Sequence, residues 1–377
     1  MTACFLPPRR TLMGPGPSDV PPRVLDAMAR PTIGHLDPAF VDLMEQIKSM
    51  LRMAFQTENA LTFPVSAPGS AGMEMCFVNL VEPGDKVIVC RNGVFGGRML
   101  ENVKRAGGTP VTVDDAWGAP VDPQKVRDAF RANPDAKILA FVHAETSTGA
   151  QSDAATLARI AQEAGALTIM DCVTSLGGTP VLLDQWGIDA AYSGSQKCLS
   201  CTPGLSPVSF SERAVARIKA RQTAVQSWFL DLNLVLGYWL SAGKRTYHHT
   251  APINLMYGLH ESLVMLEEEG LENAWARHCA MHEKLKVGLE GLGLRYVVEE
   301  NARLPQLNSI YVPEGVDEAA IRGRLLHEFN LEIGAGLGDM AGKIWRIGLM
   351  GYSAKQANID LCLQALSACL EKTAARA

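Results

Sequence analysis

The sequence predicts an α/β fold built on an open, mostly parallel sheet. Three observations carry that reading. Short apolar runs alternate with helix-like segments between residues 86 and 210. Several of those runs are apolar throughout, as strands buried on both faces must be. After Thr250 the pattern changes to two long helices and a short mixed segment, which predicts a second unit.

The elements follow in order. Residues 1–20 are Pro-rich and end in Gly14-Pro15-Gly16-Pro17, so an irregular arm is expected. Residues 21–56 read as helical, opened by Pro21-Pro22 and broken between Pro31 and Pro38. A Pro/Gly turn then opens a helix over 69–80. Residues 86–90 form a strand, 97–106 a helix, 110–113 a strand and 123–132 a helix. The strongest apolar run, 137–142, is a strand. Helix 154–164 and strand 167–171 come next, and 188–193 and 205–210 are two further short strands. Segments 253–268 and 271–292 read as long helices. Strand 309–312, helix 317–329, strand 344–348 and helix 354–372 complete an α+β unit. The expected division is an arm at 1–20, a large domain at 21–265 and a smaller C-terminal domain at 266–377.

Composition narrows the class. The 377 residues are 47% hydrophobic and 20% charged, with a net charge of -5. That is a globular balance, in a chain longer than one core usually supports. The acidic excess argues against a nucleic-acid partner, and no run of like charge marks a membrane surface. Residues 1–10 lack the apolar stretch of a signal peptide. No segment approaches the ~20 apolar residues of a membrane span. The nine cysteines are odd in number and sit mostly in apolar segments. They read as buried thiols in a reducing cytoplasm. Cys198 and Cys201 form a C-x-x-C, but no second pair or spaced histidines complete a zinc site.

Ligands of open α/β sheets gather at the carboxyl ends of strands, so residues there are the candidates. Asp171 ends strand 167–171. It suits a protonated pyridine nitrogen, or it caps the following turn. Lys197 lies in the small-residue turn Ser193-Gly-Ser-Gln-Lys-Cys198 after a strand. It is an exposed lysine, or a desolvated one whose lowered pKa lets its amine attack an aldehyde. Ala67-Pro-Gly-Ser-Ala-Gly72 precedes a helix whose free N–H groups suit a phosphate, although it matches no standard glycine motif. His143 to Gly149 follows the strongest strand with several hydroxyls, one of which, on Thr146 or Ser147, could instead be a cap. Arg346 lies inside an apolar strand, where a charge is costly unless paired. Its fork suits a substrate carboxylate or an internal ion pair. Tyr247-His-His-Thr250 invites a metal reading. However, adjacent histidines cannot readily share one ion, and no carboxylate stands at ligand spacing, so no metal site is expected.

These segments together resemble the class V aminotransferases, specifically the alanine–glyoxylate / serine–pyruvate aminotransferase family. The resemblance spans almost the whole chain. It rests on Gly14-Pro-Gly-Pro17, Asn92-Gly-Val-Phe-Gly96, Glu145-Thr-Ser-Thr-Gly149 and Asp171-Cys-Val-Thr-Ser-Leu-Gly-Gly178. It also includes Tyr192-Ser-Gly-Ser-Gln-Lys-Cys198, Tyr247-His-His-Thr250 and Arg346-Ile-Gly348. It implies the fold-type I architecture of pyridoxal 5′-phosphate enzymes, with a seven-stranded sheet and a smaller C-terminal domain.

The resemblance also implies roles. Lys197 would bond the cofactor and shuttle protons, and Asp171 would partner the pyridine nitrogen. Thr146 would meet the ring hydroxyl, with Val173 and Phe95 on the two ring faces. Gly69, Ser70 and Gln196 would hold the phosphate. Tyr247 and Thr250 would reach the phosphate of a neighbouring subunit, which implies a homodimer with shared sites. Arg346 would hold the substrate carboxylate near the Gly16 backbone, and His35 would approach the partner's active site.

Two departures stand out. Phe95 replaces the Trp of many relatives, and Gly69-Ser70 replaces a Gly-His pair of the animal enzymes. The expected activity is ping-pong transamination between alanine or serine and glyoxylate or pyruvate. An alternative is the (S)-ureidoglycine–glyoxylate reaction, whose enzymes usually have Gln at the position of His35 and Asn at that of Tyr247. A cysteine desulfurase would need a cysteine in 331–343, and that segment has none. A cofactor-binding sensor without turnover would carry a basic DNA-binding segment, which the sequence does not show.

Overall fold

The computed structural model describes residues 4–239 and 245–374, with side chains through residue 371. Residues 1–3 of the expected arm and 375–377 of the expected C-terminal unit lie outside the described residues, as do 240–244. The central sheet has seven strands: β1 (Leu61–Val65), β2 (Lys86–Arg91), β3 (Thr109–Asp114), β4 (Ile138–Val142), β5 (Leu167–Asp171), β6 (Ala190–Tyr192) and β7 (Ser206–Phe210). Their order across the sheet is β1-β7-β6-β5-β4-β2-β3. All neighbours run parallel except β7, which is antiparallel to both β1 and β6.

This order places a topological switch between β2 and β4. From β2 the chain moves outward to β3, then returns across β2 and continues through β4, β5 and β6. Carboxyl ends beside such a switch diverge into a crevice, where ligands of open sheets bind. Strands β4 and β5 are buried at every position, as their unbroken apolar sequence requires. Several helices start at built-in caps. Asp122, Asp153 and Asp317 accept the backbone N–H of Gln124, Thr156 and Ala320.

Strand β1 was not expected from the sequence. Pro64 interrupts its apolar run, and proline is disfavoured in strands because it cannot donate to the ladder. The strand lies at the sheet edge, where a missing donor is tolerated, and Pro64 faces Pro207 in register. Helices Glu212–Lys219 and Leu232–Trp239 were also unexpected. The arm is not wholly irregular, because Thr11–Leu12 pairs in parallel with Leu331–Glu332.

The second sheet contains β8 (Leu307–Tyr311), β9 (Gly334–Ala335) and β10 (Ile344–Gly348), with β10 in the middle and both pairings antiparallel. Buried apolar side chains form two large clusters. One runs from Val24 to Ala274 around the central sheet. The other joins Met13 to residues from Leu285 to Cys369. Among the described residues, no helix is long and apolar enough to cross a membrane.

Candidate active site

Asp171 stands at the carboxyl end of β5 and is 2% exposed. Its Oδ1 accepts the Val173 N–H at 2.8 Å, and its Oδ2 accepts the Tyr192 hydroxyl at 2.8 Å. Tyr192 is its register partner on β6. Burial dominates the Asp171 carboxyl and pushes its pKa up to about 7; the two hydrogen bonds and the Lys197 charge oppose the rise.

Lys197 lies in the turn after β6 and is buried, not exposed. Burial first, and the Arg346 charge second, lower its pKa to about 8. Its Nζ donates to the Pro15 carbonyl. The arm fastens this turn from outside: the Ser18 N–H donates to the Gln196 carbonyl and the Ser18 hydroxyl to the Lys197 carbonyl, each at 2.9 Å. Gly16 packs on the amine itself. A Cβ there would lie 2.5 Å from Nζ, and the φ of +110° independently favours glycine.

Arg346 reaches the same region from β10. It is 5% exposed. Its Nε donates to the Ala335 carbonyl at 2.7 Å and its Nη1 to the Thr146 carbonyl at 3.0 Å. Among the described residues it forms no ion pair with a carboxylate, so the internal-pair alternative fails. Burial lowers its pKa to about 10, which still leaves it charged at neutral pH. Thr146, buried in the turn that follows β4 and the short strand Ala144–Glu145, has its Oγ1 2.5 Å from Thr174 Oγ1. Glu145 beside it is also buried, which raises its pKa. Its Oε1 accepts the Ser147 N–H at 3.0 Å, while Oε2 has no hydrogen-bond partner.

A helix N-terminus closes the far end. Helix Gly69–Leu80 begins against the Lys197 turn. A Cβ on Gly69 would lie 3.3 Å from the Ser193 carbonyl and 3.7 Å from Val173 Cγ2. Gln196 is adjacent, and its buried Oε1 has no hydrogen-bond partner. Ser70 opens onto a cavity of ≈ 600 Å³ that Arg98, Asn102 and Gln226 also line. Val173 and Phe95 are both half-buried, and the Arg98 guanidinium sits 4.8 Å over the Phe95 ring.

Three expected residues stand apart. Tyr247 is 64% exposed and packs on His35, with ring centroids 5.3 Å apart. Thr250 is exposed. Among the described residues, no hydrogen bond or ring contact joins Tyr247, Thr250 or His35 to Lys197 or Asp171. His248 instead stacks on Trp228 at 4.7 Å, and His249 bonds Ser66 Oγ at 2.7 Å. No group of side chains able to hold a metal occurs among the described residues.

The profile of the Aminotransferase class-V family matches residues 11–357. The chain is a class V aminotransferase. It is 39% identical to the alanine–glyoxylate aminotransferase of Oryctolagus cuniculus, over 97% of this chain and 94% of that protein. It is 36% identical to the (S)-ureidoglycine–glyoxylate transaminase of Bacillus subtilis (strain 168), over 96% of this chain and 91% of that protein. The structure superposes on that of alanine–glyoxylate aminotransferase from Nostoc sp. with a TM-score of 0.96 at 46% identity, covering 98% and 97% of the two chains.

Class V aminotransferases are pyridoxal 5′-phosphate enzymes, and the residues of this aminotransferase fit that group. A desolvated amine, a buried carboxylate, two apolar side chains and a helix N-terminus match its aldehyde, ring nitrogen, ring faces and phosphate. Sequence reasoning missed Tyr192, Ser18 and Glu145 as parts of this site. Tyr192 stood in the quoted Lys197 motif, and only the strand register reveals that it faces Asp171.

Proposed function

We propose that this enzyme transfers the amino group of a small amino acid, alanine or serine, to glyoxylate or pyruvate in a ping-pong cycle. One observation carries the reading: Arg346 is a buried guanidinium with no carboxylate paired to it among the described residues, close enough to Lys197 to lower its pKa. A small 2-amino or 2-oxo acid brings the missing carboxylate and sets its α-carbon toward the amine.

Pyridoxal 5′-phosphate supplies an aldehyde for amines and a ring that takes up electron density. Lys197 and Asp171 are the catalytic residues. Lys197 would bond the aldehyde when the cofactor is present, and its freed amine would carry the proton from the substrate α-carbon to the former aldehyde carbon, and in the opposite direction in the second half. In the protein alone, burial and the Arg346 charge lower the Lys197 pKa to about 8, so a working fraction of the amine is unprotonated and able to attack an aldehyde at neutral pH. Asp171 would hold positive charge at the ring nitrogen. Gly69, Ser70 and Gln196 would hold the phosphate, Thr146 would meet the ring hydroxyl, and Val173 and Phe95 would cover the ring faces. Arg346 anchors the carboxylate beside the Gly16 backbone.

Tyr247 and Thr250 complete the phosphate site of a second subunit, and His35 borders that subunit's substrate, so the working unit is a homodimer. Exposure of Tyr247 and Thr250 supports this arrangement. The chain divides at about residue 265 into a cofactor-binding domain and a smaller one; the existence of two large apolar clusters supports two units, although the first cluster reaches as far as Ala274. Mostly buried thiols support a cytoplasmic location.

A second reading, in which (S)-ureidoglycine is the amino donor, draws support from the similarity to the Bacillus enzyme. Glyoxylate occurs in both relatives' names and is the favoured acceptor. The test is a set of half-reactions on the loaded enzyme with alanine, serine and ureidoglycine, followed in the visible spectrum. Alanine or serine should bleach the lysine-bound cofactor band, and glyoxylate should restore it. Bleaching by ureidoglycine alone would replace the first reading with the second.

A further inference from the structure

We propose that Tyr192 is a positioning residue for the cofactor, its hydroxyl keeping Asp171 in the charged form that the ring nitrogen requires. The proposal rests on Asp171 being the partner of that nitrogen.

The geometry is specific. Parallel strands β5 and β6 set Asp171 and Tyr192 side by side at their carboxyl ends. Tyr192 is fully buried, and its hydroxyl donates to Asp171 Oδ2 at 2.8 Å. The other oxygen takes the Val173 N–H, so each carboxylate oxygen accepts one hydrogen bond and keeps capacity for another. A phenol bonded to an anion is a charge-assisted contact, stronger than one between neutral groups. It also fixes the carboxylate plane, because the tyrosine ring cannot move within a buried strand.

The surroundings make that donor necessary. Asp171 sits among groups that do little to stabilise its charge. Cys76, from the helix that starts at Gly69, and Cys172, its chain neighbour, are buried thiols kept protonated by burial. The buried Glu145 carboxyl also disfavours the Asp171 charge, whereas Lys197 favours it. Left to burial alone, Asp171 would hold its own proton at neutral pH. It would then present a neutral acid to the ring nitrogen, not a counter-charge. The Val173 N–H and the Tyr192 hydroxyl are the hydrogen-bond donors that oppose this, and only the hydroxyl belongs to a side chain.

The test is cofactor binding to Tyr192→Phe, which removes the hydroxyl and little else. Losing a hydrogen bond to a charged group corresponds to about a tenfold or greater change. The dissociation constant for pyridoxal 5′-phosphate, measured by equilibrium dialysis, should rise by about tenfold at pH 7. The gap from wild type should shrink as pH rises, because at high pH Asp171 is ionised in both proteins. A packing defect would give a loss independent of pH. Asp171→Asn and the double variant complete the cycle, and the two losses should not add.

If Asp171→Asn leaves binding unchanged, the reading of Asp171 itself fails. If Asp171→Asn weakens binding but Tyr192→Phe does not, or the losses add, the assignment of Tyr192 alone is overturned. Should Tyr192→Phe not fold, site-specific 3,5-difluorotyrosine at position 192 keeps the bulk and makes a stronger donor. Its affinity at pH 7 should match or exceed wild type, and a tenfold loss would count against the proposal.

Discussion

Replacing Arg346 with alanine probes the substrate site with little ambiguity. A guanidinium has five N–H donors. Nε and one N–H of Nη1 are engaged by the Ala335 and Thr146 carbonyls, which hold the group in place. The rest are available to a carboxylate as a forked pair. Charge-assisted hydrogen bonds contribute about 1.5–3 kcal/mol each, so losing the fork should remove about 3–6 kcal/mol of substrate binding. That is a fall in kcat/KM of about 10²–10⁴-fold, seen mainly in KM, because the anchor acts on ground and transition states alike. Arg346→Lys keeps the charge without the fork and should recover part of the loss.

A second readout is independent of affinity. The Arg346 charge depresses the Lys197 pKa, so its removal should move the acidic limb of the pH–kcat profile to higher pH. The assay is steady-state turnover of alanine with glyoxylate across pH, with cofactor occupancy read from the visible band. A change in KM below about threefold, with occupancy intact, would refute the carboxylate role. Loss of the cofactor itself would assign Arg346 to scaffolding.

Lys197→Met should stabilise the protein without cofactor at neutral pH. The wild-type lysine has a folded pKa near 8 against 10.5 when unfolded, so the unfolded state binds more protons between those values. Its cost to stability, about 3 kcal/mol as an upper bound, is fully present below pH 8 and fades as pH rises toward 10.5. Urea midpoints of the two proteins should therefore converge above pH 8, and a gap that does not change with pH would contradict the shift. Gly16→Ala should lower turnover by about 10²-fold or more. It combines left-handed strain of about 1–3 kcal/mol with a methyl group pressed on the Lys197 amine. Near wild-type turnover with a normal cofactor band would refute the close packing. In light scattering the active species should be a dimer, and a stable active monomer would remove Tyr247 and Thr250 from the site.

The strands that carry the chemistry were the most legible in the sequence. Leu167–Asp171 and Ile344–Gly348 were bounded to the residue, because a fully buried strand has no polar face to blur its limits. Strand Leu61–Val65 was hidden by Pro64, whose cost depends on lying at an edge, a property of topology that no local pattern records. Lys197 was legible as a lysine in a small-residue turn, but its burial was not. That burial comes from the arm folding back through Gly16 and Ser18, nearly two hundred residues upstream. Tyr192 was invisible for the same reason: a strand tyrosine reads as core until the register places its hydroxyl on Asp171.

The central claim is that Lys197 bonds pyridoxal 5′-phosphate in an enzyme that accepts amino groups from small amino acids. Borohydride reduction of the loaded enzyme, followed by peptide mass spectrometry, tests it directly. A phosphopyridoxyl group is expected on the peptide containing Lys197, and it should disappear when excess alanine or serine is added before the reductant. A modified lysine elsewhere, or a Lys197 label that neither amino acid prevents, would contradict it.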